Sequence, residues 1–138
     1  MTYGHPATNL NWLRTGDRTD PALWLAGKEA HASTPPSPEA IARIRNALAN
    51  ANDRFLEAPR MIANRTAQLS DMLALDRQEE SYIDLIESLT KIVEGSKGKQ
   101  EYGDLCQHYY NLRHNGTDKA AALAALTEKN RALIRNHN

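Results

Sequence analysis

A single cysteine, Cys106, stands among 138 residues, which excludes an internal disulfide, and no cysteine–histidine set has the spacing of a zinc site. Glycine is absent from Lys28 to Glu94, and after Pro38 that interval holds one further proline, Pro59, so little else there interrupts a helix. Bulky core formers are scarce: one phenylalanine and two tryptophans, with alanine supplying much of the 41% hydrophobic content. At roughly 25 cal/mol per Å² of buried apolar surface, alanine contributes less than leucine or isoleucine, so the expected core is modest and a partner or self-association is expected to add to it. No apolar run approaches the roughly 20 residues that span a bilayer, and the start MTYGHPATNLNWLRTG has no basic stretch followed by an apolar core. The expectation is a reducing, cytoplasmic setting without a membrane partner, or an intracellularly assembled particle such as a virion.

Net charge is zero but segregated along the chain. Residues 38–69 carry five arginines (Arg43, Arg45, Arg54, Arg60, Arg65) against three carboxylates, whereas residues 70–94 carry seven carboxylates against two cations. Neighbouring helices of opposite sign would attract, although exposed pairs contribute only about 0–1 kcal/mol each. The acidic segment offsets the arginine stripe, so nucleic acid is not an expected partner.

Residues 1–37 hold four of the six prolines, three glycines and both tryptophans, and are read as an amino-terminal arm. Asp20-Pro21 caps one or two helical turns that end at Gly27, and Ser33-Thr34-Pro35-Pro36 forms an extended linker. The predicted division is an arm over 1–36 and a helical bundle over 37–138. Ser37 caps a long helix with Pro38 at its first position, and Ile41, Ile44, Leu48, Ala51, Phe55, Ala58, Ile62, Leu69 and Met72 follow at coiled-coil-like three- and four-residue steps. This phase runs through Pro59 unshifted and no good cap precedes it, which predicts a kinked continuous helix. A turn near 74–76, a capping box from Asp76 to Glu79, and Tyr82 to Val93 on one wide face predict the second arm of a hairpin ending at Gly95. Two further helices are expected, from about Gln100 to His114 and from a Thr117 cap onward. The fold class is all-α: a long kinked helical hairpin with two further helices, bundle-like, and an extended arm.

Few residues offer chemistry. Glu101, Asp104 and His108 share one helical face at i, i+3 and i+7, a grouping that suits acid–base or metal work, but one face cannot surround an ion and no second helix supplies matching ligands. Cys106 and His108 lie two apart on a helix and point in different directions, so the thiol is read as a packed side chain. His5, His31, His114 and His137 form no cluster with it. The Gly95-Ser96-Lys97-Gly98-Lys99 loop lacks the spacing and the strand of a phosphate cradle. Asn64-Arg65-Thr66 and Asn115-Gly116-Thr117 match a glycosylation pattern that means little without a secretory signal. No catalytic residue, cofactor or metal is expected.

Recognition is the remaining task. Trp12, Leu13, Trp24 and Leu25 are large apolar groups in an arm without a core of its own, and Tyr109 and Tyr110 beside Arg113 match binding surfaces elsewhere. These six residues are the expected partner contacts, unless the arm folds back on the bundle. The stretch TDKAAALAALTEKNRALI, with Leu123, Leu126, Lys129 and Leu133, resembles the Leu/Lys rhythm of flagellar export chaperones; the resemblance covers the last helix alone and implies an export or assembly chaperone as an alternative. The expected function is a non-catalytic structural or adaptor subunit of a larger assembly, such as a virion or secretion apparatus, binding other protein subunits or its own copies through the arm and the apolar helix stripe; a small metal- or thiol-dependent enzyme resting on Glu101, Asp104, His108 or Cys106 is the remaining alternative.

Overall fold

Three helices begin on proline, in the first turn, where an N–H has no intrahelical partner to lose. The computed structural model describes residues 12–30 and 34–136, and gives within them α1 (Pro21–Ala30), α2 (Pro38–Arg54), α3 (Pro59–Leu75), α4 (Tyr82–Ile92), α5 (Tyr102–His114) and α6 (Lys119–Asn136). His5, His31, His137, residues 1–11 of the arm and Ser33 of the linker lie outside the described residues. The all-α, bundle-like class follows the apolar periodicity, and no strand occurs among the described residues beyond an isolated bridge between Phe55 and Gln100.

The continuous kinked helix expected across Pro59 is corrected: the chain breaks there into α2 and α3. Ala58 does cap α3 without a side-chain hydrogen bond, as its chemistry requires, so the break is held from elsewhere. The Leu56 N–H donates to the Gln100 carbonyl at 2.9 Å, and the Gln100 N–H donates back to Arg54 at 3.3 Å. Glu57 turns its carboxylate onto the first N–H groups of α5, Tyr102 at 2.8 Å and Gly103 at 2.9 Å. Phe55 meets the Tyr102 ring edge-on, with centroids 4.9 Å apart. A helix running through Pro59 would forfeit all of these contacts. The heptad phase nevertheless survives, because Phe55 and Ile62 enter one core from either side of the break.

Three caps also differ from expectation. Helix α1 continues past Gly27 to Ala30, since Trp24, Leu25 and Ala26 are packed beneath it. Helix α4 is capped by the Ser81 hydroxyl, which accepts from the Asp84 N–H at 3.2 Å, while Asp76 is committed to His114. Before it, Arg77 takes a left-handed φ of 60° and the Gln78 N–H returns to the Leu73 carbonyl at 2.8 Å, closing α3. The Asp118 carboxylate, rather than Thr117, takes the Ala121 N–H of α6 at 2.8 Å.

Helix α1 packs on α2 and α3, α2 on α4, and α3 on α5, with α6 closing against α4 and α5. One contiguous core runs from Leu13 and Trp24 through Ile62, Leu85 and Leu89 to Tyr102 and Leu126. The attraction expected between the basic α2–α3 segment and acidic α4 reduces to an exposed pair, Arg43 with Glu87 at 2.8 Å. Pairs of this exposure contribute little.

Burial raises the pKa of three tyrosines: Tyr82 is pushed up to about 12 from 10.0, Tyr109 further, and Tyr102 well above the usual range. A phenol with a raised folded pKa stabilises the fold below its unfolded pKa, and the contribution is lost as pH rises through the folded value. Thermal midpoints are therefore expected to hold steady from neutral pH to about 10 and fall steeply above it. Tyrosinate absorbance from Tyr82, Tyr102 and Tyr109 should appear together with unfolding, and their gradual ionisation in a fully folded chain would contradict this.

Candidate functional site

Leu13, Trp24 and Leu25 are 0% exposed and form part of the chain's own core. Their apolar surface faces α2 and α3, so in this conformation they have none left to give a neighbour. The segment ahead of α1 is clamped by buried Asn64 on α3, whose Oδ1 accepts the Leu13 N–H at 2.7 Å while its Nδ2 donates to the Leu13 carbonyl at 2.7 Å. Arg60 donates a second bond to that carbonyl at 3.1 Å. A buried amide meeting both backbone groups satisfies what burial would otherwise orphan. Trp12 alone of the arm anchors stays 38% exposed, its ring 5.8 Å from the Arg65 guanidinium.

Tyr109 is buried and donates its hydroxyl to Glu80. Arg113 at 3.4 Å and Lys119 at 3.2 Å complete the surroundings of this enclosed carboxylate. Glu80 lies between α3 and α4, Tyr109 and Arg113 on α5, and Lys119 at the start of α6, so the cluster ties the α3–α4 connection to the α5–α6 turn. Tyr110 is half-buried and stacks on His114, 5.3 Å between centroids. The His114 Nδ1 lies 2.7 Å from Asp76, and this hydrogen bond holds the Asp76 carboxyl below its ordinary range. Neither tyrosine stands out as a free aromatic anchor.

Among the described residues, no three of His, Cys, Asp and Glu converge on a point where a metal ion would fit. Cys106 sits inside the α5 packing face, where burial pushes its thiol well above the ordinary value and opposes the thiolate a nucleophile needs. In the Gly95–Lys99 turn, the Lys99 ammonium is spent on the Asn52 carbonyl at 3.2 Å.

Among the surface depressions of the described residues are a groove of about 370 Å³ between α5 and α6 and a more polar one of about 490 Å³ between α4 and α6; the first is the one bordered by exposed leucines. Ile92, Leu105 and Leu126 line its floor. Leu56 and Leu133 lie at its mouth, 62% and 49% exposed. Asn130 rigidifies the floor, donating to the Ile92 carbonyl at 3.1 Å and accepting from Gln100 at 2.7 Å. Glu101, Asp104 and His108 form the α5 lip, and Lys129 stands on α6. The carboxyl–imidazole face legible in the sequence is thus the edge of an apolar groove rather than a ligand set. Leu56 was not legible, because it flanks Phe55 off the heptad stripe and is exposed only where the chain breaks. Leu126 and Leu133, seven apart, were visible as an apolar face of α6, but their pairing with Leu105 depends on how α5 turns back.

The model of the MoxZ family matches residues 22–131, and the chain belongs to that family. The matched span takes in most of α1, the Pro35-Pro36 linker and the groove up to Arg131. No curated protein and no solved structure matches the chain.

Proposed function

We propose that this member of the MoxZ family is a non-catalytic adaptor or structural subunit that holds a segment of a partner protein in the α5–α6 groove. The observation that carries this is the groove itself, a firm apolar floor left open between two leucines that a folded chain ordinarily covers. No helix among the described residues is long and apolar enough to cross a membrane, so the exposed leucines are read as protein contacts. A virion or secretion apparatus is the kind of assembly in view, with the subunit retained in fixed ratio in the finished object.

A photo-crosslinking side chain placed at Leu56 or Leu133 in cells is expected to yield one discrete protein adduct, and the same group at Glu39, far along the chain on α2, none. Quantifying the adducted partner in precursor and mature fractions then separates a permanent subunit from a chaperone, which would be absent from the mature one. Diffuse labelling equal at all three positions would refute a dedicated groove.

A further inference from the structure

The groove between α5 and α6 is electrically mixed. Its lining holds Lys99, Glu101 and Asp104 on the α5 side and Lys129 on the α6 side, so the four formal charges cancel and give no reason to select a strongly charged segment. They are unevenly placed, however: the α5 lip has one carboxylate in excess and the α6 lip one ammonium. Asp104 and Lys129 are both exposed, and neither enters an ion pair among the described residues. A turn of four residues, 115–118, joins the two helices, so they run antiparallel, and the Gln100 amide reaching Asn130 at 2.7 Å fixes their register. Asp104 stands ten residues before His114, the end of α5, and Lys129 ten residues after Lys119, the start of α6. At about 1.5 Å per residue, these opposite charges lie level with one another on the two lips. The exposed leucines obey the same relation. Leu56 is tied by its N–H to the Gln100 carbonyl, fourteen residues before His114, and Leu133 stands fourteen residues after Lys119.

We propose that the occupant of this groove is the same groove of a second copy of the chain, in a dimer whose two-fold axis runs along the groove. This rests on the groove being a protein-binding surface, and it names the partner. Such an axis lays the α5 lip of one copy on the α6 lip of the other and leaves every residue at its own level. Asp104 then meets the partner's Lys129, and Leu56 meets the partner's Leu133, each contact occurring twice. Four leucines close both apolar floors at once. One match is of charge and the other of apolar surface, and a surface that is its own complement in both respects is what an isologous contact requires. With four leucines and two charge pairs at its centre the contact is small, so the dimer is expected to dissociate on dilution.

Sedimentation equilibrium of the full chain is expected to show a monomer–dimer equilibrium that Leu133→Ser weakens about tenfold or more. Asp104→Lys and Lys129→Glu, each alone, set like charges against one another at both contacts and should weaken association about tenfold. An equimolar mixture of these two variants should associate at the parental strength, because both contacts then join opposite charges. Damage to the fold of either variant would not be repaired by mixing. Both substituted positions are exposed, and circular dichroism verifies that the variants stay folded. A chain that stays monomeric up to millimolar concentration, a dimer indifferent to Leu133→Ser, or two charge variants that remain apart when mixed overturns the inference. A photo-crosslinker at Leu133 in cells separates this failure from that of the groove itself. An adduct of twice the chain mass supports the dimer, whereas an adduct with a different protein overturns it and leaves the groove as a docking surface. Diffuse labelling removes both.

Discussion

Replacing Trp24 by alanine is expected to cost about 3–5 kcal/mol, the range for emptying a fully enclosed large aromatic site. Trp24 is 0% exposed, so the cavity would open inside the core shared by α1, α2 and α3. Against a total stability of about 5–15 kcal/mol for a domain of this kind, that single change removes a large share. Deleting residues 1–36 should cost more, since it also takes away Leu13, Ala22, Leu25 and Ala26 and leaves Asn64 without either backbone partner. From the sequence, the Pro35-Pro36 tract argued for an arm whose removal spares the bundle. The packed positions of α1 argue for loss of cooperative melting instead. Urea denaturation of the Trp24→Ala chain and of the truncated chain decides between them, and a truncated chain melting at the parental midpoint would favour the separable arm.

Removing the Glu80 carboxylate is the other substitution with a large expected effect. Its side chain is only 6% exposed, and Arg113, at 13%, loses its counterion when Glu80 becomes alanine. An unpaired, nearly enclosed guanidinium is destabilising by about 3–5 kcal/mol, and Tyr109 forfeits the acceptor for its hydroxyl. Adding Arg113→Met to Glu80→Ala should recover part of the loss, because the damage comes from the stranded charge rather than from the missing attraction. Chemical denaturation of the two single variants and the double variant measures this directly. Additive losses would show that the pair is not coupled.

Helix content and class were legible because they follow from local rules: prolines at the first positions of α1 and α2, the serine cap at Ser37, and left-handed glycines after α4 and α5. What failed depended on contacts distant in the chain. The break at Pro59 is stabilised by Gln100 and by the α5 N–H groups that Glu57 meets, some forty residues along, and no pattern near Pro59 announces them. Whether the arm packs on its own bundle or on a neighbour is open in the sequence, because Leu13 and Trp24 lie among prolines and glycines, whereas their burial depends on Asn64 and on the face α2 and α3 present together. At the groove, the residues were visible one face at a time, and only the packing of α6 against α5 joins Leu126 and Leu133 to Glu101 and Asp104.

The proposed function turns to the groove because Leu13, Trp24 and Leu25 are buried in the fold itself. Amide hydrogen exchange at Leu13 tests that claim most directly. Its N–H is held by wholly buried Asn64, so protection close to that of Leu89 in the centre of α4 is the expected result. Exchange at the rate of an unstructured peptide would mean that the segment stands free of the core, and the account would be wrong.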